Sequence, residues 1–246
     1  MVKLSVFVGN FIALLLLLAP QTSQAHDISG SLGSLPVLAE TNEKGILVDY
    51  LNAMQRAYPE GKIQFDVVPL ERSLKNVVSG ASDFQAPLLK DPKQNEKDLN
   101  YRYSDASIFN VTFVLYTNRA NKKINLKNLQ DFNVESDVAG IRFMGFPAKA
   151  SSCIECSLKK VNEGRIDGYI FAGLECDQFV DKDHLSNIKS AVFHKYDVRF
   201  TLPLGKKGDE TNEILTKIVN RTKKNGDFHK ILGVINDYYK NWKPRK

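Results

Sequence analysis

Ser157-Leu-Lys-Lys-Val-Asn-Glu-Gly-Arg-Ile-Asp-Gly-Tyr-Ile-Phe171 repeats the pattern of an earlier stretch, Ser73-Leu-Lys-Asn-Val-Val-Ser-Gly-Ala-Ser-Asp-Phe84. At an offset of 84 positions, Ser73, Leu74, Lys75, Val77, Gly80 and Asp83 recur as Ser157, Leu158, Lys159, Val161, Gly164 and Asp167. Each copy predicts a short amphipathic helix, a glycine that ends it, and an apolar strand led by aspartate. One helix-then-strand unit is therefore used twice.

The spacing of the two copies favours two similar lobes. Copies 84 residues apart do not belong to a short-period solenoid, so we expect one unit in each lobe and a ligand site in the cleft between them. Strands that alternate with helices predict an α/β chain with a mostly parallel sheet. The first lobe is predicted to hold a flexible start at 30–34, a strand at 35–38, a helix that opens at Gly45, a strand at 63–68, a helix from Pro69 and a strand from Asp83.

The chain is predicted to cross between the lobes twice. A strong strand pattern at 111–116 precedes a first crossing near 117–121, and the alternating stretch 195–204 is the expected return. We assign residues 26–117 and 200–246 to the first lobe and 118–199 to the second, and two crossings make a hinge. The remaining predicted elements are a helix at 126–132, a strand at 138–143, a helix at 173–180 and two final helices at 208–223 and 227–240.

The first 25 residues have the pattern of a secretory signal peptide. Lys3 supplies a positive start, the apolar run 11–18 is short for a membrane span, and Ser23-Gln24-Ala25 offers small residues for cleavage. An uncleaved N-terminal anchor is the alternative. Without Lys3, 33 of the 34 basic residues remain against 28 acidic ones, a net charge of +5 that is mixed along the chain. The sequence shows no basic stripe with interleaved aromatic residues, so it gives no indication of nucleic-acid binding.

The ordered elements around the two copies resemble the family 3 extracellular solute-binding proteins, the periplasmic components of polar amino-acid uptake systems. The matching elements are Gly45-Ile-Leu-Val-Asp49, Pro69-Leu-Glu-Arg72, Ser79-Gly80-Ala-Ser-Asp83, Tyr103-Ser104 and Gly164-Arg165-Ile-Asp167. The resemblance implies the type II periplasmic-binding fold, with two β-sheets flanked by helices and joined by a two-strand hinge. It also implies a periplasmic, monomeric, non-enzymatic protein without cofactor or metal, which passes a small polar or amphipathic molecule to an ABC-type permease or a receptor.

Two ligand-binding groups of that family have no counterpart here. The family's amino-acid binders place an arginine in the loop after the third strand, but residues 87–95 contain none. They also place an aspartate shortly after the Gly-Arg-x-Asp element, where this chain has Ile170-Phe171-Ala172-Gly173. Because a buried charged ligand needs paired groups, we predict that the ligand is not a standard α-amino acid.

Most candidate ligand-binding residues lie at or after the carboxyl ends of predicted strands, where open α/β lobes bind ligands. The candidates are Arg72, Pro87, Lys90, Tyr103, Ser104, Phe146, Phe171 and Glu175. Tyr103 and Ser104 lie at a predicted strand start and could supply an aromatic wall and a hydroxyl, or simply pack there. Arg72 could hold a carboxylate, or be a solvated helix residue, and Glu175 is the nearest acid that could replace the missing aspartate. Asp83 and Asp167 are predicted to be structural, because an aspartate at a strand start can bind turn amides.

The three cysteines, Cys153, Cys156 and Cys176, predict one disulfide in an oxidising compartment. A bridge from Cys176 to one of the other two is the first expectation, and the adjacent Cys-x-x-Cys pair is the second; a thioredoxin-like role and metal binding rank below both. The alternative to a binding protein is a dehydratase-like enzyme on the same scaffold, for which Glu71, Glu175 and Lys90 are the available acid–base groups.

Overall fold

The computed structural model describes residues 26–91, 93–138 and 140–246. The predicted signal peptide, residues 1–25, lies outside the described residues. Within them, no helix has both the length and the apolar character that a bilayer crossing requires. The described part of the chain forms six α-helices and eight strands.

The elements follow one another as an α/β chain. The helices are α1 Ile46–Arg56, α2 Leu70–Val78, α3 Ile154–Asn162, α4 Gly173–Lys182, α5 Lys206–Lys224 and α6 Asp227–Asn241. The strands are β1 Ile28–Ser34, β2 Ile63–Pro69, β3 Phe84–Lys90, β4 Arg102–Asn118, β5 Val134–Asp137, β6 Lys149–Ser151, β7 Gly168–Ala172 and β8 Ile188–Leu202.

The eight strands join in the order β2-β1-β3-β8-β4-β7-β5-β6. Strands β1, β2 and β3 are parallel to one another, and so are β5, β6 and β7. We call the first set, with α1 and α2, the first lobe, and the second set, with α3 and α4, the second lobe. The two sheets that the sequence predicted are therefore two parallel sets of strands within one eight-stranded sheet, and β4 and β8 connect them.

Strands β4 and β8 form a long antiparallel pair that serves both lobes. The pairing runs from Arg102 opposite Leu202 to Asn118 opposite Ile188. Near one end β8 pairs with β3, and near the other end β4 pairs with β7. The passage between lobes thus lies in the middle of both strands, where the register shifts around Ser107 and again after Phe113.

The repeated unit has the same local structure in both lobes. Gly80 ends α2 and Gly164 ends α3, each with a positive φ, 77° and 72°, that L-residues rarely adopt. Asp83 accepts a hydrogen bond from the Ser29 amide at 2.6 Å. Asp167 accepts one from the Asn133 amide at 2.9 Å. The structural role predicted for both aspartates is confirmed, because each ties its strand to the start of the neighbouring parallel strand.

The first strand was predicted too late in the sequence. Residues 28–34 form β1, in the centre of a parallel set, and not a flexible start. The glycines and serines of this strand give it no apolar alternation, so the strand pattern was not recognised. Glycine is needed at position 30 because a Cβ there would lie 2.4 Å from the Phe84 ring. The predicted strand at 35–38 is instead a tight turn in which Val37 has a φ of 67°.

Two predictions in the second lobe also need correction. The helix expected at 126–132 is only a 3-10 turn, Leu129–Asp131. Asn128 accepts from the Asn125 amide at 2.9 Å, so a polar side chain competes there with helical hydrogen bonds. The strand expected at 138–143 lies earlier, at Val134–Asp137, and Ile141–Phe143 is a 3-10 turn.

The C-terminal segment contacts both lobes. Helix α6 begins on the first lobe, where Phe228 meets the Tyr50 ring edge-on at 5.7 Å between centroids. It ends against α4, where the Tyr238 hydroxyl donates to Asp177 Oδ2 at 2.5 Å and Trp242 Nε1 donates to the same oxygen at 2.8 Å. Asp177 also accepts from Arg245 Nε at 3.4 Å.

We expect Asp177→Ala to lower the free energy of unfolding by about 2–4 kcal/mol, because it leaves several buried donors without an acceptor. Urea unfolding followed by circular dichroism measures the loss. Asp181→Ala is the matched control, because Asp181 pairs with the same Arg245 at 2.8 Å but is 65% exposed. Equal losses in the free energy of unfolding for the two variants would show that the buried hydrogen bonds of Asp177 contribute no more than the exposed ion pair of Asp181.

Candidate functional site

The space between the lobes is bounded by the carboxyl ends of strands from both sides. The turns after β1, β2 and β3 face those after β5 and β7, as in other open α/β proteins that bind ligands. An inner cavity of about 40 Å³ and a larger outer cleft of about 640 Å³ lie there. Leu35 and Leu70 line both spaces and so separate them.

The inner cavity is apolar apart from one carboxyl group. Residues of β4 and β8 form one wall of it, and Phe113 of β4 packs on Phe171 with 5.3 Å between ring centroids. Its lining consists of Leu35, Leu38, Leu70, Pro87, Leu88, Leu89, Phe109, Val111, Phe113, Phe143, Phe171, Ala172, Glu175 and Val198. Glu175 is therefore the single charged side chain among the described residues of this lining.

Glu175 lies in the first turn of α4, directly after β7. Gly173 opens this helix, and a Cβ there would come 3.1 Å from Val114 Cγ2, so the helix packs closely on the sheet. Glu175 is 2% exposed, and its Oε2 has no hydrogen-bond partner among the described residues. The pKa of Glu175 is raised to about 7, chiefly by burial; a backbone hydrogen bond lowers it, and the charge of Asp137 makes a smaller contribution that raises it. The carboxyl group is thus half protonated near neutral pH.

The outer cleft is acidic. It is lined by Ser34, Leu35, Pro36, Pro69, Leu70, Glu71, Asp137, Val138, Ser152, Cys153, Ile154, Glu155 and Phe179. Glu71 comes from the first lobe and Asp137 and Glu155 from the second, and this lining contains no lysine or arginine among the described residues. Glu155 is paired with Lys159 at 2.6 Å, so its charge is partly compensated.

A third cavity of about 360 Å³ lies on the other side of Phe143, which lines it as well as the inner cavity. Phe146 lines this third space and packs on Phe193, with 6.3 Å between ring centroids. Lys93 and Arg142 give it cationic groups that the other two spaces lack. No cluster of His, Cys, Asp and Glu in the described ranges is arranged to hold a metal ion.

Four of the predicted site residues line these spaces. Pro87, Phe171 and Glu175 meet at the inner cavity, and Phe146 lines the third one. Pro87 lies within β3, after a cis peptide bond with Ala86. Pro87 and Phe171 were selected because the sequence places them at the ends of predicted strands.

The other four predicted residues lie outside the linings of the three spaces. Arg72 is exposed on α2. Lys90 pairs with Glu96 at 2.6 Å, the Tyr103 hydroxyl donates to the Leu89 carbonyl at 2.8 Å, and Ser104 Oγ donates to the Ala106 carbonyl at 2.7 Å. Three of the four therefore already have protein partners.

Sequence reasoning missed the turn after β1 and two acids of the outer cleft, Asp137 and Glu155; Glu71, the third, was predicted only as a candidate acid–base group. Leu35 and Leu38 were read as a strand, although they stand at the carboxyl end of β1. Asp137 ends the short strand β5, and Glu155 lies in the first turn of α3.

The disulfide joins Cys153 to Cys156, with 5.3 Å between their Cα atoms. The first expectation, a bridge from Cys176, was wrong. Cys176 is a free thiol, fully buried on the inner face of α4, and burial raises its pKa well above the usual value. The adjacent pair, the second expectation, is confirmed.

Neither protein-family models nor curated proteins match this chain. Solved structures do. A histidine kinase sensor domain with similarity to periplasmic binding proteins aligns with a TM-score of 0.67 and 12% identity, over 85% of this chain and 96% of that one. The probable amino-acid ABC transporter extracellular-binding protein ytmK from Bacillus subtilis aligns with a TM-score of 0.65 and 15% identity, over 85% and 97%.

A receptor core has the same architecture. The GluR0 ligand-binding core from Nostoc punctiforme, in complex with L-glutamate, aligns with a TM-score of 0.66 and 12% identity, over 83% of this chain and 97% of that one. At such low identity the likeness shows the fold alone. The chain has the fold of the periplasmic binding proteins, as its sequence predicted.

We expect Glu175→Gln to stabilise the protein at about pH 8 and to change it little near pH 5. A carboxyl group with a pKa of 4.5 when unfolded and about 7 when folded keeps its proton in the fold, so the free energy of unfolding falls as the pH rises between those values. The difference is about 3 kcal/mol at high pH. Urea unfolding at both pH values measures it, with the exposed Glu213→Gln as control; a gain that does not grow with pH would contradict the assignment.

Proposed function

We propose that this protein is a solute-binding protein that closes its two lobes around a small amphipathic amine. The observation that carries the proposal is the Glu175 carboxyl, whose Oε2 has no partner among the described residues at an otherwise apolar cavity between the lobes. An ammonium group is the natural partner for such a carboxylate, because the pair would offset the cost of burying either charge alone. The apolar lining would bury the hydrocarbon body.

The charges of the cleft argue against a standard α-amino acid. Such a ligand brings a carboxylate, and neither the inner cavity nor the outer cleft has a lysine or arginine among its described lining residues. Burying that carboxylate without a partner would cost several kcal/mol. Glu71 in the outer cleft would repel it further. An amine without a carboxylate, including a diamine, avoids both costs.

The sizes of the two spaces suggest how the ligand is placed. The inner cavity, at about 40 Å³, has room for a group of the size of water or ammonium. The outer cleft, at about 640 Å³, lies in the range of small-molecule sites. The ammonium group of the ligand would therefore reach Glu175 in the inner cavity. Its hydrocarbon part would pass between Leu35 and Leu70, or displace them, and extend into the outer cleft.

The hinge of the proposed closure is the middle of β4 and β8. The register shifts near Ser107 and after Phe113 break the regular pairing where the strands pass from one lobe to the other. Bending at such a point is a common form of domain closure around a ligand. We propose that the exported protein, acting as a monomer, presents its ligand to an ABC-type permease or to a receptor. The similar structures include a probable ABC transporter extracellular-binding protein and a histidine kinase sensor domain.

The dehydratase-like enzyme gains less support. Glu175 has a pKa near neutrality, as a general acid or base requires, but Lys90 lies outside the three spaces and pairs with Glu96. The acidic substrates of such an enzyme would also meet no lysine or arginine among the described residues that line the inner cavity and the outer cleft.

Butylamine, cadaverine and phenethylamine are suitable probes, with L-arginine and L-glutamate for comparison. We expect the amines to raise the melting temperature, and we expect calorimetry to show binding that strengthens as the pH rises through about 7, where Glu175 ionises. Glu175→Gln should weaken amine binding by about tenfold or more, because a charged pair is lost. Small-angle scattering should show a more compact protein with the amine.

Glu213→Gln is the control for this experiment, since Glu213 is exposed on α5 and remote from the cleft. It should bind the amines as the native protein does. The proposal fails if no amine is bound, if an α-amino acid is bound more tightly, or if Glu175→Gln keeps full affinity.

A further inference from the structure

The Cys153–Cys156 disulfide lies at the edge of the outer cleft. Cys153 lines the cleft, and Cys156 is exposed at the surface beside it. The two residues flank the start of α3, which connects β6 to β7, and both of these strands are parallel to β5. A Cys-x-x-Cys pair at the start of a helix within a β-α-β unit is a setting in which such pairs undergo redox chemistry.

The start of α3 would stabilise a thiolate at Cys153. Cys153 is the N-cap of this nine-residue helix, and its Sγ accepts a hydrogen bond from the Cys156 amide at 3.1 Å. Backbone N–H groups and the positive end of the helix dipole favour negative charge at this position. The acids that share the cleft lining with Cys153, namely Glu71, Asp137 and Glu155, would oppose it. Of these, Glu155 adjoins Cys153 in sequence, and its carboxylate is paired with Lys159 at 2.6 Å and lies 3.9 Å from Lys182.

Accessibility separates this pair from the third cysteine. Cys176 is fully buried and has no path to solvent-borne reactants. Cys153 instead faces a cleft of about 640 Å³, which admits a small molecule. The serines around Cys153 add no bulk, and Ser151 Oγ accepts from the Cys153 amide at 3.3 Å, which holds the loop in place.

We propose that Cys153 and Cys156 form a thiol–disulfide exchange site for low-molecular-weight disulfides and thiols that enter the outer cleft. In the reduced protein the Cys153 thiolate attacks one sulfur of a disulfide RSSR; the RS–SR bond breaks, a Cys153–SR bond forms, and RS⁻ leaves and takes a proton. The Cys156 thiolate then attacks Cys153 Sγ and releases the second RS⁻. The disulfide gains two electrons and two protons, and the cysteine pair loses them.

The test uses the full chain, reduced and freed of reductant, with bis(2-hydroxyethyl) disulfide as the probe. This probe is neutral, so the result does not depend on the amine site at Glu175. We expect the native protein to release two equivalents of 2-mercaptoethanol and return to the Cys153–Cys156 disulfide. Cys156→Ser should keep a mixed disulfide on Cys153, seen by peptide mass spectrometry, and should form it at least about tenfold faster than Cys153→Ser forms one on Cys156.

Cys176 serves as the internal control for folding, because a bulky thiol reagent should leave it unmodified in every folded variant. The double variant Cys153→Ser/Cys156→Ser should not react with the probe. Equal slow labelling of the two single variants, or a native pair that neither releases 2-mercaptoethanol nor recloses, would show a purely structural bridge and overturn the proposal.

Discussion

The antiparallel pairing of β4 with β8 is the constraint on which the rest of the structure depends. Each parallel set of strands bonds to a different part of this pair, so the two strands fix where the lobes lie relative to each other. Val111, Phe113 and Val198, from the same two strands, also line the inner cavity. The strands that connect the two lobes therefore also form a wall of the candidate site.

Each lobe is built on this pair by the same small construction. A helix packs over a strand, a glycine with positive φ reverses the chain, and an aspartate binds the amide that starts the neighbouring strand. Asp83 lies 2.8 Å from Lys207, and its pKa stays below its usual value because this ion pair and the bonds from Ser29 outweigh burial. The repetition concerns the frame alone, because Glu175 and Cys153, to which we assign the proposed chemistry, lie outside the repeated positions.

Local patterns predicted the frame well. Apolar periodicity and helix-ending glycines depend on neighbouring residues, which is why α1 to α6 and the repeated unit were found at nearly their observed positions. Strand β1 was missed because its glycines and serines lack apolar alternation. The site was predictable only near the ends of predicted strands, as for Pro87, Phe171 and Glu175. Contacts that the local pattern does not reveal decided the rest: Lys90 pairs with Glu96, six residues further on, and the burial of Cys176 left the other two cysteines to pair.

The buried carboxylate of Asp177 has a consequence for the order in which the chain is finished. Its partners Tyr238 and Arg245 follow it by 61 and 68 residues. At the usual pace of translation, they emerge from the ribosome several seconds after α4. During that interval the carboxylate must stay hydrated, because burial without donors is costly. The second lobe therefore cannot reach its final packing as a nascent chain until the C-terminal residues are available. Its α4 region stays incompletely packed for longer than the early synthesis of the first strands would suggest.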